Sequence, residues 1–338
     1  MPQRTVGIFP ATGGIGGGTV KHILNRLPAK DLVFIARSPE KLAEEKADGA
    51  TVRKADYDDD AALETAFDGI ETLFLISYAS VEHHHRTQVR VYVSLNTPKT
   101  TSPTNHPIPQ RHRVAIDAAL KSGVKYIFYG SLGFAGAPSS HSSVAHVMAP
   151  HLDTEKYLEQ LSWANPGFGY TVVREGLYSE SYPLYTSFFD PKHPAPEIKI
   201  PHDGSGPGIA WVKREELGEG TAELIRRFVE SPGGAYEYRN SRVLLSGQQV
   251  LTLAETVEIL GRIAGTPVGI RKVSEEEYAG LEANVEGFKY RGVSYAYPWT
   301  TSFEAFRRGE GSFVSPLLKE LLGREPEAFE TTIRGLFE

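Results

Sequence analysis

Thr5-Val6-Gly7-Ile8-Phe9 runs into Pro10-Ala11-Thr12-Gly13-Gly14-Ile15-Gly16-Gly17-Gly18-Thr19-Val20, a strand-length apolar segment, a glycine-rich turn and the start of a helix-like run. Strand, glycine turn and helix in that order form the context a dinucleotide-binding fold requires. Glycine lets the backbone bend tightly and approach a pyrophosphate, while free N–H groups and the dipole of the following helix hold its charge. A tight strand-to-helix turn without a ligand would read the same way. Pro10 stands where the first glycine would be. Proline fixes φ and donates no N–H, so a loop destroyed by Pro10 would leave the chain with no cofactor at all.

Outward from this stretch, strand-length apolar segments recur at Leu32-Ala36, Leu73-Ser77, Tyr126-Tyr129, Tyr170-Val173 and Val243-Ser246. Helix-like segments lie between most of them, which predicts an α/β fold with a Rossmann-type doubly wound parallel sheet. Val20-Arg26, Ala61-Phe67 and Val114-Ser122 carry apolar residues at i, i+3, i+4 spacing, and Gly123 follows the last as a C′ cap would. Residues 183–208, rich in Pro, Gly and His, read as loop. Helices are expected to resume at Lys213-Val229, Thr252-Ala264 and Ser274-Ala283. The expected organisation is a nucleotide-binding domain over residues 1–182 and a smaller C-terminal α/β lobe over residues 183–338, partly interleaved with the Rossmann sheet.

The 338 residues carry a formal net charge of −6, which offers no basic face for phosphate backbones and argues against nucleic acid as a partner. With no cysteine there is no disulfide framework, zinc-thiolate site or cysteine nucleophile, so redox work needs a bound cofactor. Met1 to Val6 lack the apolar run of a signal peptide, and no apolar run approaches the roughly 20 residues that span a bilayer, so the expected location is cytoplasmic, without membrane contact. His83, His84 and His85 are adjacent and would point in different directions on a helix, so they do not read as a metal site.

The second strand ends Phe34-Ile35-Ala36 and is followed by Arg37-Ser38-Pro39-Glu40-Lys41. An acidic residue there would favour the ribose 2′-OH of NAD. Arg37, with Ser38 and Lys41, instead offers donors for the 2′-phosphate of NADP. An exposed arginine at a strand end is the plainer alternative.

Taken together, Ala11-Thr12-Gly13-x-x-Gly16, Arg37-Ser38-Pro39-Glu40-Lys41-Leu42, Ala55-Asp56-Tyr57-Asp58-Asp59 and Ile116-Asp117-Ala118-Ala119-x-x-x-Gly123-Val124 resemble the NmrA-like branch of the atypical short-chain dehydrogenases. Thr154-Glu155-Lys156-Tyr157-Leu158 and Tyr170-Thr171-Val172-Val173-Arg174-x-Gly176-x-Tyr178 extend the match. The resemblance implies NADP(H) contacts from Ala11 through Thr12, Gly13, Gly14 and Ile15 to Gly16, and at Arg37, Ser38, Lys41, Asp56, Ser77 and Tyr78. Such families include quinone and enone reductases, imine-type and benzylic reductases of secondary metabolism, and regulators that sense NADP without catalysis.

Hydride transfer usually needs a group that donates a proton or polarises the acceptor. The tyrosine of the common short-chain dehydrogenase signature is missing, since Leu152 stands four before Lys156. Ser131 follows the fifth strand where the larger superfamily often keeps a substrate-binding serine; close packing at the sheet edge explains a small residue equally well. In the similar isoflavone-reductase branch the catalytic lysine lies three residues before the position matching Thr154, which lands on His151. A histidine there could donate a proton near neutral pH, or it could simply start a helix that Asp153 and Thr154 cap. Tyr178 and Tyr182 would by resemblance face the substrate, or else form an aromatic packing cluster.

Val89 to Gln110 begins Val-Tyr-Val, turns polar and proline-rich, and interrupts what would otherwise be one helix. Deleting it restores a family pattern with Arg86 four residues before His112. Two explanations stand: a retained intron, for which the codons of Val89 and Gln110 permit splice sites, or a genuine inserted loop after the strand near the nicotinamide. The sequence thus predicts an NADPH-dependent oxidoreductase acting on a small conjugated, aromatic or imine-type molecule. The rival is a non-catalytic NADP(H)-sensing regulator that binds a partner protein.

Overall fold

The computed structural model describes residues 5–78, 108–231, 235–290 and 292–337. His83 to His85 and most of the 89–110 stretch lie outside the described residues; its last three residues open a helix.

The large unit alternates β1 (Val6–Phe9), α1 (Gly14–Ile23), β2 (Leu32–Ala36), α2 (Ala43–Ala47), β3 (Thr51–Lys54), α3 (Asp60–Ala66), β4 (Thr72–Ile76), α4 (Ile108–Lys121), β5 (Tyr126–Leu132), α5 (Ala149–Ala164) and β6 (Gly169–Glu175). After residue 182 come β7 (Glu197–Ile200), α6 (Arg214–Glu230), β8 (Ser241–Leu245), α7 (Leu253–Ala264) and β9 (Gly269–Lys272). The main sheet has seven strands in the order β3-β2-β1-β4-β5-β6-β8, each pair parallel. Helices cover both faces, so β1 and β2 are buried at every position and read as unbroken apolar runs rather than alternation. One face packs on α1 and α6, the other on α3, α4 and α5. The strand order reverses between β1 and β4, which places the glycine turn at the topological switch point. Helices α1 and α6 cross at glycines: a Cβ added to Gly218 would lie 2.6 Å from the carbonyl carbon of Gly18.

Three expectations need correction. Residues 183–208 are not all loop: β7 pairs with β9, and Glu197-Ile198-Lys199-Ile200 alternates exposed and buried as a half-buried strand does. Strand β3 was hidden by its polarity; Thr51-Val52-Arg53-Lys54 is an edge strand without a buried position. The expected helix over Ser274-Ala283 is two short ones, Glu275–Gly280 and Glu282–Gly287, broken where Leu281 is extended. A second core, the lobe core, is rich in aromatic residues from after residue 182, with Tyr185, Trp211, Phe303, Phe306 and Phe329 among its members, and also takes in Phe134, Ala145 and Met148. Among the described residues no helix is long and apolar enough to cross a membrane.

Candidate functional site

The turn after β1 closes with Pro10 in place. The Phe9–Pro10 peptide is cis, Ala11 N donates to Ile35 O at 2.8 Å, and α1 begins at Gly14. Gly13 and Gly14 have φ of 77° and 41°, in the left-handed region that favours glycine, and nothing lies within 4 Å of a Cβ built on either. Gly16 is glycine for another reason: a Cβ there would sit 2.1 Å from Pro10 O. Ala11 and Ile15 are buried in the core and offer the loop only their backbone. This open glycine cradle ahead of a helix N-terminus fits a pyrophosphate.

Arg37 leaves the end of β2 with its side chain 80% exposed, and its Nε lies 3.8 Å from Asp56 Oδ2 beyond β3. Together with Lys54 and Asp59 they rim a surface depression. Ser38 and Lys41 belong to the same turn, where Lys41 N donates to Ser38 O.

At the end of β4, Ser77 N donates to Gly130 O at 3.1 Å. Tyr78 is held twice: its amide donates to His112 Nε2 at 2.8 Å, and its hydroxyl donates to Asp58 Oδ2 at 2.7 Å. Buried Arg111 braces the same corner, donating to Tyr57 O at 2.7 Å and pairing with Asp58 and Asp60 at 3.4 and 3.2 Å.

Helix α5 buries Pro150, His151, Thr154, Glu155 and Leu158, a stripe at i, i+3, i+4 spacing against the sheet. Ser131 donates its hydroxyl hydrogen to Glu155 Oε1 at 2.7 Å. Glu155 is further clamped by Arg174, at 3.0 and 2.7 Å, and by Arg242 at 3.0 Å. His151 is 6% exposed, with Nδ1 3.4 Å from the Tyr129 hydroxyl. Burial, reinforced by the charge of Arg174, pulls its pKa down to about 3. The ring is therefore neutral at pH 7, and what it can offer a substrate is the N–H of a neutral imidazole rather than an imidazolium proton. Lys156 points to solvent.

Tyr178 and Tyr182 part company. Tyr178 stands half-buried just beyond β6, its pKa raised by burial and then by Glu175, whereas Tyr182 is buried in the lobe core, edge-on to Phe329. Sequence reasoning missed Glu175 itself. It is 2% exposed, accepts from Thr221 Oγ1 at 2.8 Å, and has no hydrogen-bond partner for Oε2 among the described residues. Burial pushes its pKa up to about 8. The signal was a pair of charged residues, Arg174-Glu175, closing an otherwise apolar strand. No cluster able to hold a metal ion occurs among the described residues.

Residues 11–195 match the family model described as NAD(P)H-binding. The chain belongs to that family. It is 29% identical over 333 residues to an NmrA-like family domain-containing oxidoreductase of Aspergillus flavus, covering 97% of this chain and 94% of the relative. It is 31% identical over 280 residues to quinone oxidoreductase 2 of Escherichia coli, 83% of this chain and 82% of that one. The crystal structure of the NADPH-dependent quinone oxidoreductase of Escherichia coli complexed with NADPH superposes with a TM-score of 0.73 at 28% identity, covering 98% of this chain and all of that one. The NmrA-like chain is thus an NAD(P)H-dependent oxidoreductase of the quinone-reductase type, with the glycine cradle at the position its fold requires.

Proposed function

We propose that this NmrA-like protein is an NADPH-preferring reductase of a small, largely apolar, conjugated, aromatic or imine-type metabolite, acting in secondary-metabolite biosynthesis. One observation carries the cofactor preference. The second strand delivers Arg37, exposed and beside Asp56, where an NAD-binding chain would present an acid to the ribose. The contacts proposed for the cofactor run from Ala11 to Gly16, then Arg37, Ser38, Lys41, Asp56, Ser77 and Tyr78. On the substrate side stand His151, as a neutral hydrogen-bond donor that polarises the acceptor, and Tyr178. Ser131 belongs beside them with its oxygen available only to accept, because its hydrogen goes to Glu155. The reading of Ser131 and His151 draws support from Glu155, which ties Ser131 on β5 to the helix that carries His151; Tyr178 stands just beyond β6, packed on the core of the α1 and α6 face.

The test is parallel calorimetric titration with NADPH, NADP+ and NADH. NADPH binding at least about tenfold tighter than NADH supports the preference, and equal affinities remove it. Turnover against quinone, enone and imine panels, lost in His151→Ala, supports the enzyme. A non-catalytic NADP(H) sensor that binds a partner protein is the second reading. It is favoured by the neutral state of His151 and the engaged hydrogen of Ser131, which leave neither as a ready source of protons at pH 7. A partner captured only in one cofactor redox state, without turnover, would establish it.

A further inference from the structure

The contacts that lead to His151 begin at the backbone of Tyr78, just beyond β4, and the hydrogens along them can be assigned from their partners. The Tyr78 amide donates to His112 Nε2 at 2.8 Å, so that nitrogen carries a lone pair. The hydrogen of the His112 ring therefore sits on Nδ1. Thr154 Oγ1 lies 2.8 Å from that Nδ1 and gives its single hydrogen to Pro150 O, also at 2.8 Å, so it accepts from His112. The Tyr129 hydroxyl lies 3.3 Å from the same Nδ1 and 3.4 Å from His151 Nδ1. With the His112 hydrogen pointing toward Thr154 and Tyr129, and the Thr154 oxygen beside Tyr129 already accepting from His112, the phenol hydrogen goes to His151 rather than to Thr154. Its Nδ1 accepts, which leaves the hydrogen of the neutral ring on Nε2. His112, Tyr129 and Thr154 are each 1% exposed or less, so water does not compete for these groups.

We propose that His112, Thr154 and Tyr129 are positioning residues that hold His151 in its Nε2–H tautomer and tie that choice to the backbone at Tyr78. The functional meaning rests on the reading of His151 as the group that polarises the substrate; the tautomer itself stands on the contacts alone. A neutral histidine polarises an acceptor only if the nitrogen facing it bears the hydrogen, so the tautomer decides whether His151 can do that work.

The experiment uses the full chain labelled with 13C and 15N at histidine, whose Cδ2 and ring-nitrogen chemical shifts report tautomer and charge. His112→Gln and His151→Gln each remove one set of signals and so assign them. At pH 7 the expected result is Nδ1–H for His112 and Nε2–H for His151. In Tyr129→Phe the His151 signals should move toward a mixture of tautomers while NADPH affinity stays within about twofold. Thr154→Val should perturb His112, and Thr154→Ser, which keeps the acceptor, should restore it. A His151 ring that is Nδ1–H or doubly protonated in the unaltered protein, or one whose signals ignore Tyr129→Phe, overturns the inference. A tautomer that follows Tyr129 in a protein whose turnover survives His151→Ala supports the chain of contacts and overturns the role given to His151.

Discussion

The rim of the sheet's C-terminal edge and the layer just beneath it are built on different physics. At the rim, Gly13 and Gly14 present backbone to open space and Arg37 presents an exposed charge. Beneath it, His151 and Glu175 sit on opposite faces of the sheet, 6% and 2% exposed, each driven toward its neutral form by burial. The rim depends on turn geometry and a solvated cation. The buried layer depends on how completely the fold excludes water. Even within that layer the two groups differ: His151 joins a chain of hydrogen-bonding side chains, while the Glu175 carboxyl has, among the described residues, only the Thr221 hydroxyl. Burial sets the charge state of both, but only one is also given a direction.

The largest effect should come from breaking the rim. Gly16→Val forces a Cβ to within 2.1 Å of Pro10 O, backbone that cannot swing aside as a flexible side chain would. NADPH affinity by calorimetry should fall by at least about a hundredfold. Gly17→Ala, where nothing lies within 4 Å of the added atom, should bind within about threefold of the unaltered protein. Retained affinity in Gly16→Val would mean that the turn is not what holds the cofactor.

The buried layer should reveal itself through pH. The carboxyl of Glu175 is held at about 8 against an ordinary 4.5, so the folded state binds more protons than the unfolded one between those values, and stability falls as pH rises through that window. His151, held at about 3 against 6.5, acts in the opposite sense, and stability falls as pH drops from 6.5 toward 3. From 4.5 to 6.5 the two slopes oppose each other. Above 6.5 Glu175 acts without that opposition, with a limiting slope of about 1.4 kcal/mol per pH unit. On the acid side Glu223, held to about 2 chiefly by its hydrogen bond from Arg226, adds to the loss, so the alkaline side is the diagnostic one. Urea denaturation at pH 6.5 and 8.5 should show the alkaline loss, and Glu175→Gln should remove it. An unchanged slope in the variant would place the titrating group elsewhere.

This division also explains what could be read in advance. The glycine turn, Arg37 and the apolar runs of β1 and β2 are local: spacing and residue type decide them, and the doubly wound sheet follows from their alternation with helices. Strand β3 was lost because an edge strand needs no apolar face, and β7 because proline and glycine around it outweighed four alternating residues. His151 was singled out by resemblance, but its neutrality could not be read, because that comes from the packing of α5 against β5 and β6. Arg174-Glu175 was visible only as two charges closing a strand, and nothing in the spacing of His112, Tyr129 and Thr154 said that the three meet; they come together only in the fold.

A middling effect should separate charge from geometry at the rim. Arg37→Asp keeps the end of β2 but replaces a donor for a 2′-phosphate with an acceptor for a 2′-hydroxyl, close to Asp56. The ratio of NADPH to NADH affinity should fall by about tenfold or more, crossing toward NADH. Equal ratios in both proteins would reduce Arg37 to an exposed surface charge.

The smallest effect should come from Ser131, which lies between the two regions. Among the described residues its hydroxyl is one of four hydrogen-bond donors to the Glu155 side chain, the other three coming from Arg174 and Arg242. Ser131→Ala removes one bond from a carboxylate that both arginines still neutralise, so unfolding free energy should drop by about 1 kcal/mol. If the serine serves the network and not the substrate, kcat/KM should stay within about threefold, well short of the loss in His151→Ala. A fall much beyond that, with thermal stability unchanged, would show that the Ser131 oxygen accepts a hydrogen bond from substrate. It would then belong to the site as a contact residue and no longer to the packing beneath it.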